Sequence, residues 1–163
     1  MAVSKCRRCL VGGARSWQFG LRVTVAAAVY PSPQSIAATS LADFRAVTRP
    51  NLEGAFLATR YALLKMRSLG NGGVMVNVAS AYATVGAADQ AAMSASANGI
   101  RIMTKAAALS CAEAKDGIRV NGVAAGPRAT PENVAAAVAF LASDAASYVS
   151  GYTLPVDRGF LAA

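Results

Sequence analysis

Two spacings of apolar residues alternate along the chain. Short, β-rich apolar runs stand at Val23 to Val29, Val74 to Ala79 (VMVNVA), Ile118 to Val123 and Tyr152 to Val156. Their brevity and the turn residues between them predict buried strands. Between them lie longer stretches at helical spacing: Leu41 to about Arg67, Ala87 to Lys115, and Glu132 to Ser143. Ser40 can cap the first of these, and Asp43 suits its first turn, where the helix dipole favours negative charge. Pro50 lacks an N–H and predicts a kink or break within that helix. Gly117 supplies a stop signal for the second helix. Tyr30 to Thr39, with its two prolines, Gly70 to Gly73, and Ala125 to Pro131 read as loops. Strands alternating with helices imply an α/β fold with a parallel sheet.

Composition narrows the class. The chain has 163 residues, 55% hydrophobic and 15% charged. That length suits one domain, and the balance excludes an intrinsically disordered chain. Alanine supplies much of the apolar content and buries little area per residue, so stability must come from close contact between elements. The net charge is +8. Lys5, Arg7, Arg8, Arg15 and Arg22 all precede Asp43, the first acidic residue, and beyond it the charges nearly balance. This divides the chain into a basic segment, 1–22, and a body, 23–163. A basic segment can attract nucleic acid, anionic membrane or an acidic partner. No aromatic–basic RNA motif accompanies the charge, so a solvated tail is expected and nucleic acid is not the expected partner. An Arg-rich, acid-poor start also resembles an organellar transit peptide, but this one lacks clean helical periodicity. The longest apolar runs, Val23 to Tyr30 and Ala135 to Ala142, are too short to span a bilayer, so no membrane partner is expected. Cys6 and Cys9 form a C-x-x-C and Cys111 stands alone, with no histidine anywhere. No metal site is expected from that inventory. The odd cysteine count suits a reducing compartment, and a cytoplasmic location is the expectation.

Five segments in order carry a resemblance. They are NLEGAF (Asn51 to Phe56), GGVMVNVAS (Gly72 to Ser80), MSASANGIRIMTKAAALSCA (Met93 to Ala112), GIRVNGVAAGPRATP (Gly117 to Pro131) and VAAAVAFLASDAASYVSGYTLPVDRGF (Val134 to Phe160). From about Val23 onward the chain resembles the short-chain dehydrogenase/reductase family. The resemblance implies a Rossmann-like parallel sheet flanked by helices. It also implies hydride transfer between a small alcohol or ketone and NAD or NADP. That chemistry uses a phenol as general acid, an ammonium that lowers its pKa and binds the nicotinamide ribose, a serine hydroxyl on the substrate oxygen, and an asparagine in the proton path.

Aligned this way, Asn51 and Ser80 stand at the positions of the family's asparagine and serine. Its Tyr-x-x-x-Lys falls on Met93 and Ala97. Four residues apart on a helix, the two share a face, but a thioether and a methyl cannot donate a proton. Tyr82 is a conceivable substitute acid. Lys105 lies about 12 Å along the axis from Ala97, too far to replace the ammonium. On the cofactor side, Gly12 and Gly13 (LVGGAR) resemble the start of the family's phosphate-binding turn. The two strands that should follow it are missing between Gly20 and Val23, so part of the dinucleotide-binding half is lacking. The new sheet edge should be left open. The family's N-N-A-G reads Ala26 to Val29. Gly126 and Thr130 remain as nicotinamide contacts, and the substrate lid after Pro131 is absent. Arg158 replaces a glycine in Asp157-Arg158-Gly159, where a left-handed backbone would be strained. The two long helices are those the family uses to dimerise. The expectation is therefore an oxidoreductase with impaired catalysis, forming homo-oligomers or hetero-oligomers with intact relatives. The alternative is a non-catalytic oligomerisation or interaction module.

Overall fold

The computed structural model describes residues 21–26 and 32–162. Four strands, β1 (Leu21–Ala26), β2 (Gly73–Ser80), β3 (Ile118–Ala125) and β4 (Thr153–Val156), form one all-parallel sheet in chain order. Parallel neighbours need crossovers, and helices supply them. α1 (Leu41–Thr48) and α2 (Gly54–Leu69) join β1 to β2, α3 (Tyr82–Val85) and α4 (Ala91–Ala114) join β2 to β3, and α5 (Pro131–Ala142) joins β3 to β4. Among the described residues β1 is an edge strand.

The sheet separates two cores. Consecutive β2 residues point to opposite faces. Met75 packs with Ala62 and Met66 of α2 and with Ala108 and Cys111 of α4. Val76 packs with Val123 and Leu141 on the α5 side. Three polar side chains then lock the α5 side. Arg119 donates to the carbonyls of Leu141, Ser143 and Val149, closing the end of α5. The Asn121 amide donates to Val149 and its oxygen accepts the N–H of Tyr152. Ser150 Oγ accepts the N–H of Val120.

Several boundaries differ from the sequence reading, each for a local reason. The break at Pro50 takes the form of a π-helical turn, Arg49–Glu53, and Gly54 donates back to Arg49. A short helix, α3, follows Ser80 where none was expected. α4 starts at Ala91 rather than Ala87, because Asp89 adopts a left-handed backbone (φ +56°) that cannot propagate a helix. Its C-terminal end agrees with the expected one to within a residue: the helix stops at Ala114 and Lys115 is a left-handed cap (φ +50°). β1 begins at Leu21, two residues before the expected strand start.

Candidate functional site

Ligands of open α/β sheets bind beyond the carboxyl ends of the strands. Three strands end in step there: Ser80 of β2 pairs with Ala125 of β3, which pairs with Val156 of β4. The next residue of each strand continues the row. Ala81 donates to the Ala125 carbonyl (2.9 Å), and Gly126 donates to the Val156 carbonyl (3.0 Å). Gly126 must be glycine here, since a Cβ would sit 2.7 Å from the Cα of Asp157.

Ser80 is 7% exposed, and its Oγ accepts the N–H of Tyr82 at 3.2 Å. With a lone pair so engaged, the hydroxyl proton is free to point at another oxygen. Tyr82 meets Phe160 edge to face, ring centroids 5.8 Å apart at 80°. That contact brings the C-terminal turn, residues 157–162, against the end of β2. Asp157 holds the turn closed, accepting the N–H of Gly159 (3.0 Å) and of Leu161 (2.9 Å). Arg158 within it has φ +53°, the strained conformation expected from the sequence. The Tyr82–Phe160 contact joins residues far apart in the chain, and no local pattern signals it.

Asn51 is buried within the π-helical turn. The neighbouring Leu52 lies so close to α4 that a Cβ at Gly99 would meet its Cδ1 at 2.9 Å. Met93 and Ala97 are both buried on α4, one turn apart. Ala97 packs with Ala55, Ala79, Ala83 and Ile100. Lys105 is exposed on the same helix, two turns beyond Ala97. Thr130 caps α5: its Oγ1 accepts from Asn133, whose Oδ1 accepts from Thr130 N–H at 3.1 Å. Glu132 in that first turn has its pKa held below the ordinary carboxylate value by its own backbone N–H and by Thr130. Gly12, Gly13, Cys6 and Cys9 lie outside the described residues. Among the described residues no group of three acidic or sulfur ligands could hold a metal. A water-sized cavity of about 20 Å³, lined by residues including Asp43, Asp89 and Gln90, does not include Ser80.

Comparison with known proteins follows the same lines. The family model described as enoyl-(acyl carrier protein) reductase matches residues 13–132 and 127–161. The chain is 38% identical to cis-4-hydroxycyclohexanecarboxylate dehydrogenase of Sinomonas cyclohexanicum, covering 89% of this chain and 68% of that protein. It is 35% identical to cyclopentanol dehydrogenase of Comamonas testosteroni, covering 76% of this chain and 59% of the relative. The solved acetoin dehydrogenase of Enterobacter cloacae superposes with a TM-score of 0.79 at 27% identity, over 87% of this chain and 64% of that one. A 4-hydroxyisoleucine dehydrogenase solved with NADH and succinate gives a TM-score of 0.79 at 25% identity, over 87% and 70%. The chain thus spans 59% to 68% of the length of the two curated relatives named here.

Proposed function

The chain belongs to the short-chain dehydrogenase/reductase family, and we propose that it is a member whose site can still hold a substrate oxygen but has lost proton transfer. The observation that carries this reading is the pair Met93 and Ala97, buried one turn apart on α4 where the resemblance puts a tyrosine and a lysine. Ser80 keeps a hydroxyl proton free to hydrogen-bond the oxygen of a small alcohol or ketone. At the two aligned positions a thioether and a methyl can neither deliver nor accept a proton. Asn51 is retained, but the relay it would serve has no acid at its end.

A bound NAD or NADP would supply the hydride. Among the described residues the donor set does not fit a nicotinamide nucleotide. Ala97 puts a methyl where the ribose needs an ammonium. No step through the cofactor follows from this chain's described residues. Fluorescence titration with NADH and NADPH, beside the Met93→Tyr, Ala97→Lys double variant, tests the reading. The wild type should show no saturable binding at micromolar concentrations and no ketone reduction. Tight binding with turnover in the wild type would overturn it.

The second reading, a non-catalytic oligomerisation module, is favoured by one observation. Leu57, Tyr61 and Leu64 of α2 and Ile102 and Leu109 of α4 are exposed on helices that share one face of the sheet. The two readings are compatible: a member without proton transfer can still assemble with itself or with intact relatives.

A further inference from the structure

Two arginines stand at the carboxyl edge of the sheet without a role in the reading above. Arg128 lies two residues beyond Gly126, in the loop after β3. Arg158 lies one residue beyond Asp157, in the turn after β4. The loops touch, because the Gly126 backbone is packed against Asp157. Both side chains are exposed, and among the described residues neither makes an ion pair. The nearby carboxylates, Asp157 and Glu132, form no ion pair with either guanidinium. Asp157 accepts two backbone N–H groups of its own turn, and Glu132 is held by the start of α5. Arg158 also keeps a left-handed backbone (φ +53°) that glycine would adopt without strain.

We propose that Arg128 and Arg158 form an oxyanion-recognition site that takes a carboxylate or phosphate group of the ligand whose oxygen meets Ser80. The proposal rests on the reading that Ser80 marks the ligand-facing end of β2. Ser80 and Val156 lie two strand spacings apart, about 10 Å. Phe160, in the same turn as Arg158, reaches Tyr82 beside Ser80. Guanidinium suits this task because it is always charged and presents a planar fork to an oxyanion.

Calorimetric titration of the full chain with cyclohexanecarboxylate, inorganic phosphate and uncharged cyclohexanol tests the site. Arg128→Gln and Arg158→Gly should each weaken the favoured anion about ten-fold, as loss of one charge-assisted hydrogen bond implies. Cyclohexanol should be unaffected by either change. Loss confined to the carboxylate identifies a substrate acid, and loss confined to phosphate identifies a phosphorylated ligand. Arg158→Gly should at the same time raise the melting temperature, so weaker binding in that variant cannot come from unfolding. Arg60→Gln on α2 removes the same charge elsewhere and should leave binding unchanged. Equal weakening in Arg60→Gln, or no anion binding by the wild type, overturns the proposal. Turnover with NADH is measured separately, so failure of the impaired-catalysis reading leaves a distinct signature.

Discussion

Thr59, Asn77 and Thr104 form a polar layer between two apolar clusters, one around Met66, Met75 and Cys111 and one around Ala79, Ala97 and Ile100. The Asn77 amide donates to Thr104 Oγ1 (2.9 Å), and Thr104 donates on to the Ile100 carbonyl (2.8 Å). Thr59 Oγ1 and Asn77 Oδ1 find no hydrogen-bond partner among the described residues. A buried polar atom left unpaired costs its full desolvation, whereas an isosteric methyl costs none. Thr59→Val should therefore raise unfolding stability by about 1 kcal/mol in urea denaturation. Thr104→Val should lower it by a similar amount, since it strands the Asn77 amide. If Thr59→Val destabilises instead, its hydroxyl has a partner after all. Cys111 offers a pH test at the same scale. Burial is the main cause that pushes its thiol pKa up, with Arg67 opposing from 3.9 Å. The fold favours the protonated thiol, so this contribution is complete below the ordinary thiol pKa of about 8.5 and is lost as pH rises beyond it. Wild type should lose more stability than Cys111→Ala between neutral pH and about pH 9.5, measured by denaturant midpoints.

At the scale of elements, local chemistry was legible and tertiary contact was not. Ser40 accepts the N–H of Asp43 and caps α1 as its sequence implied. Apolar runs with turn residues on either side located all four strands, although β1 begins earlier than its apolar run suggested. Pro50 announced a break, but a missing N–H does not say whether the chain kinks, stops or widens. The π-helical turn packs Leu52 on α4, a contact with residues far along the chain. Asp89 displaced the start of α4, because left-handed backbone at a non-glycine residue carries little sequence signal. For the candidate site, motif order brought Ser80, Asn51, Met93 and Ala97 into view. Asp157-Arg158-Gly159 marked the turn after β4, but its docking through Phe160 on Tyr82 had no local signature. Thr130 joins the two kinds of evidence. The resemblance gives it to a nicotinamide, whereas its hydroxyl completes a capping box with Asn133. Thr130→Ala should lower stability by about 1 kcal/mol in thermal or denaturant unfolding, as loss of a threonine cap does. An unchanged midpoint would mean the box contributes nothing to α5.

For the whole molecule, the question is what covers the outer faces of α2 and α4. Their inner faces carry the core residues Ala55, Thr59, Ala62 and Met66 on α2 and Ile100, Thr104, Ala108 and Cys111 on α4. The outer positions Leu57, Tyr61 and Leu64 recur at i, i+4 and i+7, and Ile102 and Leu109 are seven apart. Helical spacing puts each set on one stripe. Tyr61 is 61% exposed and Leu109 65%. Single exposed apolar residues are ordinary, but stripes on neighbouring helices make a patch of the kind that marks an interface. No helix among the described residues is long and apolar enough to cross a membrane, and a second protein surface with matching helices would bury both stripes. Sedimentation at micromolar concentration should show a dimer or larger species. Leu64→Glu with Leu109→Glu should shift it to monomer while the far-UV circular dichroism stays unchanged, because both side chains lie outside the packed cores. A wild type that sediments as a monomer would leave the patch uncovered and remove the support for an assembly role. A monomer that nonetheless associates when mixed with an intact relative would show that the partner is the relative and not a second copy.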